Sequence, residues 1–260
     1  GRGRGAHVLS VRSVLSGEMR EVGTPLTEIT ALQASPAGTR VLVNGRDDRN
    51  RIGVYLVDLA TGATDSVAYA SFDTPAMVRA AGWSSDSRTA FYTIEDFHRD
   101  RLRLVAHDVS THVDRNVLEL PCTMNCIGRA SPDGRSFAIV HRDPGSPTTT
   151  RLLTVTADNA APRELARFEA PDRLSGAPAW TPDGQSLIIA LGTSDDASGR
   201  AARFVIAHAD ATPATIATAG VTGPVTGVRV HPNGREILFL SGRTAFELWS
   251  LGPLRFRPSR

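Results

Sequence analysis

Arg129 and Arg229 are the side chains whose spacing most clearly suggests a binding site in this chain. Each lies three residues before the proline position of a turn that occurs five times, and Gln33, Gly82 and Ala179 hold the same place in the other repeats. Guanidinium groups bind carboxylates and phosphates through paired hydrogen bonds. Gln33, Arg129 and Arg229 could therefore line a polar or anion-binding channel. The alternative is that these side chains reach acidic groups on neighbouring repeats.

Acidic pairs occur in three of the polar loops between the second and third predicted strands of the repeats. Their members are Asp47, Asp48, Glu95, Asp96, Asp195 and Asp196. If these loops project on one face, the carboxylates could form a rim that binds cations or a basic peptide. The calcium-loop pattern Asp-x-Asp-x-Asp-Gly is absent, and the arginines at positions 49, 51, 99 and 101 are interspersed with the acids. A solvated loop face is the alternative, and we predict no metal site.

Cys122 and Cys126 are the two cysteines of the chain and lie in one predicted connection between repeats. Thiols this close in sequence could close a small disulfide loop, which would suit an oxidising compartment. A metal site would need more ligands than this pair supplies. Two unbonded cysteines are the alternative.

Nucleophilic catalysis finds little support in the sequence. No Gly-x-Ser-x-Gly elbow is present, and no α/β segment follows the repeats to carry one. The seven histidines are scattered without ligand spacing, at positions 7, 98, 107, 112, 141, 208 and 231. Only His107 and His208 hold similar places, at the ends of two predicted strands, where they would be ordinary polar residues or metal ligands gathered from different repeats. We predict that the chain alone is not an enzyme and carries no cofactor.

The elements that position these residues come from a repeat of about fifty residues. Ser131-Pro132-Asp133-Gly134 is a tight turn, because proline presets φ and Asp-Gly tolerates positive φ. Short β-prone runs flank it and predict a hairpin of strands a and b. Matching turns have the position of this proline at 36, 85, 132, 182 and 232, although residue 85 is serine and Ala37 stands in place of the aspartate in the first turn. The predicted hairpins lie near residues 29–45, 78–94, 126–141, 176–191 and 226–241.

This period with β content predicts a β-propeller of four-stranded antiparallel blades. Trp83 and Trp180 end strand a in two repeats and are predicted to be core. His7–Val11 and Glu18–Val22 read as strands c and d without their own hairpin, so five hairpins accompany six c strands. A six-bladed type, incomplete in this chain, is favoured over five-bladed closure. We expect residues 1–5 to be a linker or cut edge and residues 6–260 to form a single domain.

Charge and hydropathy exclude two classes of partner. The formal net charge is +2, and all 29 basic residues are arginine. No basic stripe follows one element, so we predict no nucleic-acid binding. No apolar run approaches the length of a membrane helix, and no signal-peptide pattern opens the chain, so we predict no membrane insertion.

Pro178-Ala179-Trp180-Thr181-Pro182-Asp183-Gly184 resembles the blade signature of the TolB-like, WD-repeat-like propellers of bacteria. The resemblance covers residues 29–252, with Ser131-Pro132-Asp133-Gly134 as the next best match. It implies a monomeric, non-catalytic module that binds a protein, a peptide or a small ligand, as part of a longer protein. It also favours a periplasmic or other extracytoplasmic location. The alternatives are the substrate-gating propeller of a peptidase and a metal-dependent, lyase-like propeller.

Overall fold

The computed structural model describes residues 7–13, 15–70, 76–123, 125–156, 161–193, 201–210 and 212–241. In these segments all regular elements are β-strands. They contain no helix with the length and apolar character needed to span a membrane. Neighbouring strands pair antiparallel throughout, which confirms the predicted all-β class.

Four complete blades follow one another, each with its strands in the order a-b-c-d. Blade 1 contains β3 (Glu28–Ala34), β4 (Arg40–Arg46), β5 (Ile52–Asp58) and β6 (Thr64–Tyr69). Blade 2 contains β7 (Ala76–Trp83), β8 (Thr89–Asp96), β9 (Arg101–Asp108) and β10 (Asp114–Pro121). Blade 3 contains β11 (Ile127–Ala130), β12 (Ser136–His141), β13 (Thr149–Thr156) and β14 (Arg163–Glu169). Blade 4 contains β15 (Asp172–Trp180), β16 (Ser186–Thr193), β17 (Ala201–His208) and β18 (Thr215–Thr222).

A two-stranded pair flanks the blades at each end. The first pair is β1 (Val8–Arg12) with β2 (Met19–Gly23), and the last hairpin is β19 (Val225–Val230) with β20 (Ile237–Ser241). The first pair packs on blade 1, and the last hairpin packs on blade 4. The described strands do not pair across these two ends. Four complete blades are therefore present, and the predicted count of five to six is not confirmed.

The turn between strands a and b has the geometry that its residues require. In blade 3 the Asp133 carboxylate accepts hydrogen bonds from the Ser131 hydroxyl and from the backbone N–H of Arg135. Gly134 follows with φ of 67°. A Cβ at this glycine would lie 2.5 Å from the Cα of Ser84 in blade 2, so the turn also allows the two blades to approach closely.

The core lies between successive blades. Phe91 of blade 2 and Phe137 of blade 3 meet edge to face, with ring centroids 4.7 Å apart. Trp83 and Trp180 are buried, as predicted for core residues. Because each complete blade is packed between neighbours, its strand b is buried on both faces, which explains the nearly continuous apolar runs of these strands.

Candidate functional site

Strand a carries the predicted channel residues, and the next blade anchors its backbone. The indole N–H of Trp83 donates to the carbonyl oxygen of Gln33 over 3.0 Å. In the same way, the indole N–H of Trp180 donates to the carbonyl oxygen of Arg129 over 3.1 Å. Each tryptophan lies one blade beyond the residue that it binds. The hydrogen bond therefore ties the position three residues before the turn proline to the adjacent blade.

Gln33 is used within the fold. Its side-chain amide donates to the carbonyl oxygen of Ala80 on strand a of blade 2, over 2.9 Å. The amide therefore joins blades 1 and 2. Arg129 and Arg229 are the two predicted channel residues that remain as candidates for binding a ligand.

Arg229 lies close enough to Arg129 for its charge to act on that guanidinium group. Arg129 is on β11 of blade 3, and Arg229 is on β19 of the last hairpin. Burial lowers the pKa of Arg129 to about 10, and the positive charge of Arg229 lowers it further in the same direction. Ala179 holds the equivalent place on blade 4, between them, and is buried in the core between blade 4 and the last hairpin.

Neither of these arginines has an acidic partner among the residues that the structure describes. Every ion pair recorded there involves other side chains. Arg229 donates to the carbonyl oxygen of Val228 over 2.8 Å. Two neighbouring guanidinium groups thus lack a counter-charge in this part of the chain, and such an arrangement attracts an anion.

A second pair of arginines, Arg142 and Arg173, was missed by the sequence analysis. Arg142 follows strand β12, and Arg173 is the second residue of β15. Burial lowers the pKa of Arg142, and the charge of Arg173 acts in the same direction, against an opposing effect of Glu95. The Nε atom of Arg142 is buried without a hydrogen-bond partner in the described structure. Arg142 and Arg173 do not hold equivalent positions in the repeat, so the sequence shows no sign that they meet across two blades.

Strand register gives the separation of the two arginine pairs along the strand direction. Arg173 is opposite Gly192 on β16, whereas Ala179, at the level of Arg129 and Arg229, is opposite Ile188. Those two partners are four residues apart on β16, which corresponds to about 13 Å along an extended strand. The pairs therefore lie at different depths of strand a.

Two carboxylates of the predicted acidic rim, those of Asp47 and Asp96, form hydrogen bonds with residues close to them in sequence. Asp47 is buried, and its carboxylate accepts hydrogen bonds from the backbone N–H and the Nε of Arg51, at 2.8 and 2.7 Å. Burial raises the pKa of Asp47, but the hydrogen bonds from Arg51 outweigh this effect and the net change is a lowered pKa. The Asp96 carboxylate accepts the backbone N–H groups of His98 and Arg99. These acids stabilise their own loops.

The remaining members of the predicted rim differ in their placement. Asp48 is exposed. Asp195 and Asp196 lie outside the described residues. Glu95 and Asp96 were predicted to be loop residues, and that placement is wrong, because both belong to strand β8, where Glu95 is only 1% exposed.

Glu95 connects blade 2 to the two cysteines. One carboxylate oxygen accepts a hydrogen bond from Nη1 of Arg79 at 2.8 Å, and the other accepts the backbone N–H of Cys126 at 3.0 Å. Cys122 and Cys126 are joined as a disulfide and are buried. The sulfurs and a Glu95 oxygen lie within 4.8 Å of one another. Sequence spacing could not reveal this, since Glu95 precedes Cys126 by 31 residues.

The two histidines with similar places make separate contacts within their own blades. His107 is buried, and its Nδ1 lies 2.8 Å from a carboxylate oxygen of Asp114. His208 uses its Nδ1 to contact the hydroxyl of Ser186 at 3.0 Å. In the described segments, the one cluster with metal-binding potential contains no histidine.

Comparisons with known proteins show the fold of this chain but not its function. No protein-family model matches the sequence, and no curated protein matches it. The structure is similar to TolB from Acinetobacter baumannii, with a TM-score of 0.61 and 17% identity over 84% of this chain. The chain spans 50% of the length of that protein.

Two further solved structures share the architecture. A protein described as TolB from Agrobacterium tumefaciens matches 91% of this chain and 84% of its own, with a TM-score of 0.64 and 14% identity. An oligogalacturonate lyase in complex with manganese matches 88% of this chain and 76% of its own, with a TM-score of 0.53 and 13% identity. This chain is a β-propeller. Identities this low show the shared fold alone.

Proposed function

We propose that this propeller is a non-catalytic binding module whose ligand presents acidic groups to Arg129 and Arg229. The observation that carries the proposal is the pair itself: two neighbouring guanidinium groups without an acidic partner among the described residues. A carboxylate or phosphate between them would accept charge-assisted hydrogen bonds and relieve their mutual repulsion. The tryptophan anchor on Arg129 holds the backbone of one arginine in place before the ligand arrives.

The second arginine pair supports an extended ligand. Arg142 and Arg173 lie about 13 Å from the first pair along strand a, the length of about four residues of extended peptide. A peptide with acidic side chains four residues apart can therefore reach both pairs, whereas a single small anion can occupy only one. We infer that the ligand is an acidic protein segment or peptide.

Titration calorimetry tests this with a synthetic extended peptide that carries two glutamates four residues apart in a serine-glycine background. The same peptide with glutamine at both positions is the ligand control. The double variant Arg129→Gln/Arg229→Gln should bind the acidic peptide at least about tenfold more weakly, since each charge-assisted hydrogen bond contributes about 1.5–3 kcal/mol.

Arg115→Gln is the matched protein control, because Arg115 is an exposed arginine on strand β10, the outer strand of blade 2. This variant should bind as the wild type does. Equal affinity of the double variant and the wild type would overturn the proposal. Turnover of a peptide or an acidic polysaccharide by the isolated chain would favour the peptidase or lyase alternative instead.

A further inference from the structure

The cluster of Glu95, Cys122 and Cys126 contains more donor atoms than a structural disulfide needs. All three side chains are at most 1% exposed. Each can offer one ligand atom, and the three atoms lie within 4.8 Å of one another. Glu95 comes from the end of strand β8, and both cysteines come from the connection between β10 and β11, so the cluster joins blades 2 and 3.

We propose that reduction of the Cys122–Cys126 disulfide converts this cluster into a Zn²⁺ site with two thiolate ligands and one carboxylate ligand. The reductant is a dithiol, which supplies two electrons and two protons and leaves as its own disulfide. The sulfur–sulfur bond breaks, and each cysteine sulfur takes one proton. Zn²⁺ then displaces both protons as it binds the two sulfurs and an oxygen of Glu95.

The donor set suits zinc better than calcium or magnesium. Zn²⁺ accepts thiolate and carboxylate ligands together in tetrahedral sites, whereas the harder cations prefer oxygen alone. Three protein ligands leave a fourth position for water.

The surroundings supply the support that a metal ligand requires. Nη1 of Arg79 donates to Glu95 over 2.8 Å and would orient the carboxylate as an outer partner. Two thiolates and one carboxylate carry three negative charges, so bound Zn²⁺ leaves one negative charge. Arg79 balances that charge, and the backbone N–H of Arg142 donates to the sulfur of Cys126 over 3.4 Å.

The test compares oxidised and reduced protein under anaerobic conditions. The full chain is reduced with dithiothreitol, desalted, incubated with Zn²⁺ and desalted again, and its zinc content is then measured by mass spectrometry. Reduced wild type should retain one Zn²⁺ per chain, whereas the oxidised protein should retain none. Co²⁺ in place of Zn²⁺ should produce the thiolate-to-cobalt charge-transfer absorption only after reduction.

Substitutions test which side chains bind Zn²⁺ in the reduced protein. Cys122→Ser/Cys126→Ser should abolish retention, and Glu95→Gln should weaken the affinity at least about tenfold. Asp96→Asn is the matched control, because it removes the neighbouring carboxylate on the same strand and should leave the affinity unchanged. Near-UV circular dichroism of the tryptophans reports whether each sample is folded.

Three results would overturn the proposal. The first is a folded, reduced wild type that retains no zinc, and the second is a serine double variant that retains as much zinc as the wild type. The third is a reduced protein that loses its near-UV signal and does not regain it with Zn²⁺. A reduced protein that refolds when Zn²⁺ is added would support the site, because metal binding then contributes to folding.

Discussion

Leu42 and Leu238 occupy the same place in strand b, six residues after the proline position of the turn, yet their environments are opposite. Leu42 is fully buried between blades 1 and 2, whereas Leu238 is 72% exposed. On the last hairpin, Phe239 packs on Phe204 of blade 4 with ring centroids 5.0 Å apart, and Leu238 points to the other face. Burial in this fold therefore depends on having a blade on either side, because the residue type and its place after the turn are the same.

The largest difference in the free energy of unfolding is expected between alanine substitutions at these two leucines. Leu42→Ala should lower the free energy of unfolding by about 2–5 kcal/mol, because it leaves a cavity between two blades. Leu238→Ala should change it by no more than about 0.5 kcal/mol, because the side chain is already in solvent. Urea denaturation followed by tryptophan fluorescence measures both. Similar losses for the two variants would show that another element covers Leu238.

A smaller effect separates the blades that carry tryptophan from the last hairpin, which has Val230 at that position. Trp83→Phe and Trp180→Phe should each cost about 1 kcal/mol, because each removes one hydrogen bond between blades. Only Trp180→Phe should weaken binding of the acidic peptide, since Trp180 anchors Arg129. Equal loss of affinity for the acidic peptide in both variants would contradict the role of the hydrogen bond from Trp180 to Arg129.

The smallest effect concerns acid stability and compares Asp183 with Asn233, its counterpart in the last turn. The hydrogen bond from the Thr181 hydroxyl lowers the pKa of Asp183, and the backbone N–H of Gln185 adds to this. A carboxylate with a lower pKa in the folded protein stabilises that protein at pH values above the pKa of aspartate in the unfolded chain, which is about 3.9. This stabilisation is lost as the pH falls from there through the lower pKa of the folded protein.

Asp183→Asn should therefore make the stability of the protein less dependent on pH. The decrease of the urea midpoint from about pH 5 to about pH 2 should be smaller in this variant than in the wild type. Asn233→Asp is the reverse substitution and should make the decrease larger. The same pH dependence in all three proteins would mean that the turn carboxylates do not contribute.

The sequence predicts the blades well because their turn chemistry is local. Proline, aspartate or asparagine, and glycine lie within four residues in the turns of blades 3 and 4 and of the last hairpin. Blades 1 and 2 keep part of this pattern, and strands of the predicted period follow. The same period places Arg129 and Arg229 at equivalent positions of strand a. These features need only neighbouring residues, and the structure contains all five hairpins.

Contacts between blades could not be predicted in this way. Glu95 is an acid near the end of a β-strand, but its buried carboxylate is bound by Arg79 in the same blade and by Cys126 in the connection to the next blade. Arg142 and Arg173 form a pair only because blades 3 and 4 are adjacent. The number of blades also depends on what lies beyond the last hairpin, as the exposed Leu238 illustrates, and no single repeat encodes that.

The most direct test of the proposed channel is a crystal structure of the chain with the acidic peptide bound. We predict one glutamate carboxylate within hydrogen-bond distance of the guanidinium groups of Arg129 and Arg229, and the other glutamate near Arg142 and Arg173. A structure in which Arg129 and Arg229 each pair with a carboxylate of this chain, while the peptide lies elsewhere, would contradict it.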